Sequence, residues 1–226
     1  MNEYPKVQSE KETIWHLLQT GQSLARYGDG EVKMMRSVGN KYEDYDPRIR
    51  RCLLHILEKP QKNVAIGIPN PLPGSPRFEW WQPFVKKMTP FLRPDVQYFS
   101  SFITRADQAP WIAHEEQWYR AQIERLWWQK RTVLVGSGSS LTAEDMKDAS
   151  ELLYIKTTGR NDFGMYDEIE AQILAYSPEV VVLCAGMMAT CMVPPLAARG
   201  IRAYDLGAFG NRKLWRIGRE IQESLK

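Results

Sequence analysis

A glycine-rich segment near the N-terminus, residues 26–31, carries two carboxylates with one residue between them. Asp29 and Glu31 flank Gly30, and Gly28 precedes the pair. On an extended backbone, side chains two residues apart point to the same side, and glycines let a ligand approach the backbone closely. Paired carboxylates suit Mg²⁺ or Mn²⁺, which complete their coordination with water and substrate phosphates. The spacing alone favours an ordinary Asp-Gly turn, with Glu31 in the first turn of a helix, because D-x-E occurs often by chance; a metal site is the other interpretation.

Other charged residues near predicted strand ends extend the set of candidate site residues. Arg26 and Arg105 could act as fixed cations for phosphate groups. Asp167 and Glu168 are the candidates for a general base, a group that takes a proton from the attacking hydroxyl. Arg105, Asp167 and Glu168 are each also compatible with an ordinary surface charge.

Two further segments place small residues directly after apolar strands. Such loops expose backbone N–H groups that can bind a phosphate or a ribose, although a tight turn explains the first equally well. Neither matches the phosphate-binding P-loop or the GxGxxG pattern. The residues concerned are Gly136, Ser137, Gly138 and Ser139 in the first segment and Gly186 and Thr190 in the second.

Composition excludes several classes of protein. The chain has 226 residues, 43% of them hydrophobic, and its 30 Lys+Arg against 27 Asp+Glu give a net charge of +3. That is an ordinary folded composition, too weakly basic to indicate nucleic-acid binding but suited to an anionic small molecule. The three cysteines form no CxxC pair and the three histidines no zinc motif, which predicts a reducing compartment and excludes a zinc hydrolase.

The elements that would position these residues follow from hydrophobic periodicity. A capping box at Ser9 and Glu12 starts the first helix, and a Pro-rich loop covers residues 69–76. Short apolar strands alternating with helices predict a mostly parallel, Rossmann-like sheet with helices on both faces, in a single domain spanning 1–226. The predicted strands are 23–27, 64–68, 132–135, 152–155, 180–183 and 202–205, with an extended piece at 96–104. A second helix is predicted to begin at Asp46-Pro47, and three further helices are predicted at 166–175, 193–198 and 211–224.

One uncharged stretch, residues 180–198, approaches the length of a membrane span. Gly186, Pro194 and Pro195 interrupt it, which favours a buried strand, a loop and a short helix. The polar N-terminus has no signal-peptide pattern. We therefore expect a cytoplasmic protein that is not an integral membrane protein, with peripheral association at the inner face of the membrane and homo-oligomer formation left open.

The segment Ala25-Arg26-Tyr27-Gly28-Asp29-Gly30-Glu31 resembles the opening signature, ARYGDGE, of the bacterial GT-D-fold glycosyltransferases, which contains their D-x-E motif. The resemblance continues in order through 102–105, 133–140, 161–169, 186–190 and 204–207. The chain departs from the family at Ala208, where a His is expected, and in its Gly/Ser-rich loop at 135–140, where an acidic residue is more usual.

The resemblance implies a metal-dependent glycosyltransferase of hexosyltransferase type, acting in polysaccharide biosynthesis. A sugar would pass from a nucleoside diphosphate sugar, a UDP-sugar being favoured, to a hydroxyl of a glycan, glycolipid or glycoprotein. Asp29 and Glu31 would hold Mn²⁺ or Mg²⁺ at the donor diphosphate. Two alternatives stay open: a metal-dependent nucleotide or sugar-phosphate hydrolase or phosphotransferase, and a non-catalytic module that binds nucleotides or RNA.

Overall fold

The alternating hydrophobic segments form one parallel sheet. The computed structural model describes residues 3–71 and 77–224. Its strands are β1 (Val7–Gln8), β2 (Ser23–Arg26), β3 (Val64–Ile68), β4 (Tyr98–Ser100), β5 (Arg131–Gly136), β6 (Glu151–Lys156), β7 (Val180–Cys184) and β8 (Arg202–Asp205). All strand pairs in this part of the chain are parallel, in the order β1-β4-β3-β2-β8-β7-β5-β6.

Nine α-helices connect or flank these strands in the described residues. They are α1 (Glu10–Thr20), α2 (Asp29–Met35), α3 (Pro47–Glu58), α4 (Phe78–Met88), α5 (Trp111–His114), α6 (Glu116–Glu124), α7 (Tyr166–Tyr176), α8 (Gly186–Ala198) and α9 (Arg212–Ser224). The predicted capping box of α1 is present, with Ser9 and Glu12 each accepting a hydrogen bond from the other's backbone N–H.

Both faces of the sheet are covered, as the uninterrupted apolar strands predict. In β7, Val180 and Val182 pack into the core beneath α1, α5, α6 and α9, while Val181 and Leu183 pack on the opposite face against α7 and α8. Successive side chains of a strand point to opposite faces, so a strand buried on both sides is hydrophobic throughout. The α/β fold class predicted from the sequence is confirmed.

The two halves of the sheet meet where β2 and β8 pair, through Leu24 and Tyr204. From β2 the chain continues to β3 on one side, whereas β8 is reached from β7 on the other. Neighbouring strands whose connections run to opposite sides leave a crevice beyond their carboxyl ends, where ligands of open parallel sheets bind. The topology therefore places the candidate site beyond the ends of β2 and β8.

Two sequence predictions are corrected. Residues 184–190 are not a loop: α8 begins at Gly186 and continues through Pro194 and Pro195. Most of this helix is buried against the sheet, and that packing outweighs the local cost of about 3 kcal/mol per helical proline. The extended piece at 96–104 shortens to β4 followed by a 3₁₀ turn, Ser101–Thr104. Part of the predicted Pro-rich loop, 72–76, lies outside the described residues.

The uncharged stretch 180–198 divides into β7 and α8. The predicted division into a strand and a helix is confirmed, but most of the predicted loop between them is part of α8. Among the described residues, every helix is too short or too polar to cross a membrane.

Candidate active site

A cavity of about 420 Å³ opens at the carboxyl ends of the central strands. Its size is within the usual range of small-molecule sites. It is lined by Arg26, Tyr27, Gly28, Asp29, Gly30, Glu31, Asn40, Tyr42, Glu43, Trp81, Ser101, Phe102, Arg105, Ser137, Ser139, Ser140, Gly159, Asp162, Cys184, Ala185, Gly186, Met187, Asp205, Gly207, Ala208, Asn211 and Leu214.

Asp29 and Glu31 both line this cavity, but on a helix rather than on an extended strand. Gly28 is the N-cap of α2, and Glu31 Oε2 accepts a hydrogen bond of 2.7 Å from its backbone N–H. Asp29, whose side chain is 35% exposed, pairs with Lys33 one turn later at 3.2 Å. On a helix, residues two apart do not face the same way. The turn-to-helix interpretation is therefore correct for the backbone, and Glu31 also has a capping role.

Arg26 holds three strand ends together. Its Nε donates to the Asp205 carbonyl at 2.5 Å, its Nη2 to Asp205 Oδ1 at 3.1 Å, and its Nη1 to the Ser101 carbonyl at 2.9 Å and to Thr104 Oγ1. These contacts join the ends of β2, β4 and β8. The guanidinium is thus engaged within the fold, and Arg26 is a positioning residue rather than a free cation for phosphate.

Asp205, which the sequence reasoning did not select, is the buried partner of Arg26. Burial raises its pKa, although Arg26 and the hydroxyl of Thr190 act in the opposite direction. Thr190 donates to Asp205 Oδ2 at 3.2 Å and to the Arg26 carbonyl at 2.9 Å. Thr190 is buried inside α8 and does not line the cavity, so the structure gives it this internal role instead of a nucleotide contact.

Arg105 reaches the cavity from the segment after β4 and is held from behind. Its Nε and Nη2 donate to the two carboxylate oxygens of Asp107, both at 2.8 Å. Burial opposes the charged form of Arg105, yet its hydrogen bonds to the Asp107 carboxylate and the negative charge of that group raise its pKa overall. Gln108 donates to the same carboxylate and accepts a 2.7 Å hydrogen bond from Trp81 Nε1. The arginine and the indole on the cavity wall therefore belong to one hydrogen-bonded unit.

Most of the residues selected from the sequence meet at this cavity. Those that line it are Arg26, Gly28, Asp29, Gly30, Glu31, Arg105, Ser137, Ser139 and Gly186; those that do not are Gly136, Gly138, Asp167, Glu168 and Thr190. Gly136 is buried within β5, and Asp167 and Glu168 are exposed in the first turn of α7. The two nominated bases therefore lie away from the cavity.

Several polar lining residues were not selected from the sequence: Asn40, Tyr42, Glu43, Trp81, Asp162, Asp205 and Asn211. Asp205 carried a usable signal, because it ends an apolar strand at the edge where ligands bind. Glu43 and Asn40 carried none, since they lie in a polar segment between helices and reach the cavity only through tertiary contacts.

The carboxylates at the cavity suit a hard divalent cation, although no cluster of three or more potential metal-ligating side chains occurs in the described ranges. Burial, and next the charge of Asp205, raise the pKa of Glu31 to about 7. A bound cation would relieve this unfavourable burial of charge. Two carboxylates with the remaining positions left to water and phosphate is an arrangement that Mg²⁺ and Mn²⁺ accept.

Comparison with known proteins shows the family to which the chain belongs. A family model described as the glycosyltransferase GT-D fold matches residues 24–215. Among curated proteins, the chain is similar to the glycosyltransferase GlyD of Streptococcus pneumoniae serotype 4, at 26% identity over 93% of this chain and 27% of the relative. It is also similar to the probable glycosyl transferase Gly of Streptococcus gordonii, at 24% identity over 92% of this chain and 33% of the relative. The chain thus spans about a third or less of the length of these relatives.

A solved structure described as a new glycosyltransferase (DUF1792) from Streptococcus sanguinis has a similar fold. It superposes with a TM-score of 0.80 at 22% identity, over 94% of this chain and 86% of that one. A second structure, described as a domain of unknown function 1792 with a distinct glycosyltransferase fold, gives a TM-score of 0.79 at 22% identity, covering 95% of this chain and 83% of that one.

Proposed function

The chain belongs to the glycosyltransferase GT-D fold family, and from that membership we propose that it transfers a sugar from a nucleoside diphosphate sugar to an acceptor hydroxyl with the help of Mn²⁺ or Mg²⁺. One observation carries the proposal. The cavity brings a carboxylate pair, an arginine and an uncapped helix N-terminus to the carboxyl edge of the central strands. Together these groups match the charges of a metal-bound diphosphate.

The N-terminus of α8 supports binding of an anion. Gly186 and Met187 in its first turn line the cavity, and no side chain caps its first N–H groups. The first N–H groups of a helix have no partner within it, and the helix dipole adds partial positive charge at this end. A diphosphate placed here would gain hydrogen bonds from the backbone and attraction from the dipole.

Arg105 supplies the side-chain cation for the same anion. Two of its nitrogens are held by Asp107, which orients the planar guanidinium on the cavity wall. A guanidinium fixed in this way loses little conformational entropy when it binds a phosphate. Charge that develops on the leaving diphosphate would be stabilised by this preorganised donor.

Asp29 and Glu31 would hold the cation. When bound, the metal acts as a Lewis acid that neutralises charge on the diphosphate. The Glu31 carboxylate is held in place because it accepts a hydrogen bond from the Gly28 N–H. Asp29 is the first residue of α2 and accepts a hydrogen bond from Lys33. The nucleoside and sugar would occupy the rest of the cavity, beside Ser137 and Ser139 on one wall and Trp81 on another. A UDP-sugar is the donor we favour, and a glycan, glycolipid or glycoprotein the acceptor.

Replacing either carboxylate by its amide tests the proposal. Asp29→Asn and Glu31→Gln keep the size of the side chain, and the Gln amide oxygen can still accept from Gly28, so the fold should survive. We expect transfer to fall by at least about 100-fold at saturating donor, the scale of losing one preorganised electrostatic contact. Near-normal turnover in either variant would contradict the metal assignment. Release of free phosphate or free sugar without acceptor, at a rate rivalling transfer, would instead favour a hydrolase.

A further inference from the structure

The cavity contains five carboxylates, and four of them are already engaged. Asp205 is bound by Arg26 and Thr190. Asp29 and Glu31 are assigned to the cation. The fourth, Asp162, stabilises its own turn, because its Oδ1 accepts from the backbone N–H groups of two residues and from a hydroxyl: Thr158 N at 3.0 Å, Gly159 N at 2.9 Å and Thr158 Oγ1 at 2.6 Å. The remaining carboxylate is Glu43.

The backbone around Glu43 is fixed on both sides, which fixes where its side chain enters the cavity. Asn40 Oδ1 accepts from the Glu43 N–H at 2.9 Å, and the Asn40 N–H donates to the Glu43 carbonyl at 2.8 Å. The neighbouring residues dock on the segment after β6, since Asn161 donates from its N–H to the Tyr42 carbonyl at 2.8 Å and accepts from the Asp44 N–H at 2.9 Å. The segment around Glu43, which contains no helix or strand, is thereby held by hydrogen bonds to Asn161.

The side chain of Glu43 is buried against the cavity wall without a cation. Its exposed fraction is 8%, and among the described residues it forms no ion pair. Buried carboxylates are normally paired, so an unpaired one that faces a ligand cavity calls for a functional explanation. The adjacent Tyr42 also lines the cavity and is 57% exposed, so this wall is open to a molecule approaching from solvent.

The charges around Glu43 set its basicity. Burial raises its pKa to about 7, with further contributions from Asp162, Asp46 and Asp44, while the backbone N–H of Phe163 acts in the opposite direction. Two arginines on the neighbouring segments, Arg48 and Arg160, pair with Asp46 and Asp44. A base works best when its pKa lies near the working pH, because it is then both deprotonated and basic enough to take a proton.

We propose that Glu43 is the general base that deprotonates the acceptor hydroxyl. The assignment rests on the proposed function and replaces Asp167 and Glu168, which lie outside the cavity. In the step, the acceptor oxygen forms a bond to the anomeric carbon as its proton passes to the Glu43 carboxylate. The bond from that carbon to the diphosphate oxygen breaks, and its electron pair leaves with the diphosphate. The proton then passes to solvent.

Glu43→Gln tests this assignment, with Glu58→Gln as the matched control. The control removes the same charge from Glu58, which is exposed at the end of α3 and does not line the cavity. We expect kcat to fall by about 10²- to 10⁴-fold in Glu43→Gln, the usual contribution of a general base, while the Kd for donor measured by calorimetry stays within threefold. In the wild type at saturating metal and donor, where the bound cation keeps Glu31 deprotonated, kcat should rise with pH through about 7, and this acidic limb should be lost in the variant.

Retention of kcat within tenfold, or a variant that keeps the wild-type pH profile, would overturn the base assignment alone, because donor binding and wild-type transfer would still stand. A rise in acceptor KM with unchanged kcat would also overturn it and make Glu43 a sugar-binding residue. Failure of the wild type to transfer from any donor would overturn the proposed function and the base with it. Melting temperatures of both variants show whether a rate loss comes from misfolding.

Discussion

Arg26 and Arg105 line the same cavity, but their hydrogen bonds give them different tasks. Arg26 donates from all three of its guanidinium nitrogens to groups at the ends of two other strands, β4 and β8. Arg105 donates from two nitrogens to one carboxylate, which leaves Nη1 for a ligand. Residue type and position near a predicted strand end predict the same role for both. Only tertiary contacts separate the one that supports the fold from the one that can bind a phosphate.

Asp107→Asn should weaken donor binding because it removes the charged partner that orients Arg105. A hydrogen bond to a charged group contributes about 1.5–3 kcal/mol, so we expect donor Kd to rise by roughly 10- to 100-fold. Arg93 and Asp95 form the matched control, with the same two-residue spacing and the same pair of contacts, 3.0 and 2.6 Å, on the exposed surface. Asp95→Asn should leave donor Kd unchanged. Equal effects of the two variants in calorimetry would refute the positioning role.

Arg26→Lys should destabilise the fold. A lysine keeps the charge but cannot reach the Ser101 carbonyl, Thr104 and Asp205 together, so the buried Asp205 loses part of its compensation. Breaking a buried pair in this way costs about 3–5 kcal/mol, which denaturant titration can measure. The exposed pair of Arg216 and Glu220 offers a comparison, because Arg216→Lys should change stability by less than about 1 kcal/mol. If Arg26→Lys lowers the free energy of unfolding by less than about 1 kcal/mol, the hydrogen bonds of Arg26 do not hold the strand ends together.

At the scale of elements, the sequence predicts those helix ends and strands that depend on interactions between neighbouring residues. The capping box of α1, the Pro at the start of α3 and the apolar strands β3 and β7 were recognisable because each depends on residues close in sequence. The start of α8 was missed because Gly186 and the two prolines indicate a loop followed by a short helix at 193–198, whereas burial against the sheet lets the helix begin at Gly186. The docking of the segment around Glu43 on Asn161, through Tyr42 and Asp44, was also missed, since contacts between segments so distant in sequence leave no periodic pattern.

The turn between β8 and α9 carries an element-scale prediction. A Cβ on Gly210 would overlap the backbone of Ser140, so only glycine lets this turn approach the loop after β5. Gly210→Ala should therefore push apart two walls of the cavity, with a loss of about 1–3 kcal/mol in stability and a higher donor KM. Gly164→Ala is the control, because its Cβ would meet no atom within 4 Å. If Gly210→Ala melts with wild-type stability and binds donor normally, the close approach is unimportant.

At the scale of the whole molecule, the site costs stability at neutral pH. Glu43 has an ordinary pKa of 4.5 and a pKa of about 7 in the folded state. Between these values the folded chain binds a proton that the unfolded chain does not, so stability falls as pH rises through this window. The cost is absent below pH 4.5 and complete above about pH 7.

Glu43→Gln should remove this contribution. The variant and the wild type should melt at similar temperatures near pH 4.5, and the variant should melt higher at pH 8, with the difference growing through the window between the two pKa values. Thermal unfolding followed by circular dichroism across this range measures it. A difference between the two proteins that does not change with pH would show that Glu43 is not the titrating group. A substitution that raises stability and lowers activity is the usual result of replacing a functional residue.

The net charge of +3 gives little information about the site, because the cavity itself is rich in carboxylates. Under the proposed function, affinity for a diphosphate would come from a bound cation, Arg105 and the N-terminus of α8 acting together. The chain also spans only about a third or less of its curated relatives, so the acceptors of those longer proteins are not carried over to it.

The most direct test of metal-assisted donor binding is the melting temperature of the chain with UDP-, GDP-, dTDP- and CMP-sugars, each with and without Mn²⁺, in the wild type and in Asp29→Asn. A ligand at 100 times its Kd stabilises the folded state by about 2.7 kcal/mol, which corresponds to roughly 5–10 °C for a domain of this size. We predict such a shift for one class of nucleoside diphosphate sugar, only with Mn²⁺ and only in the wild type. No shift with any donor, or an equal shift without metal and in Asp29→Asn, would contradict the account.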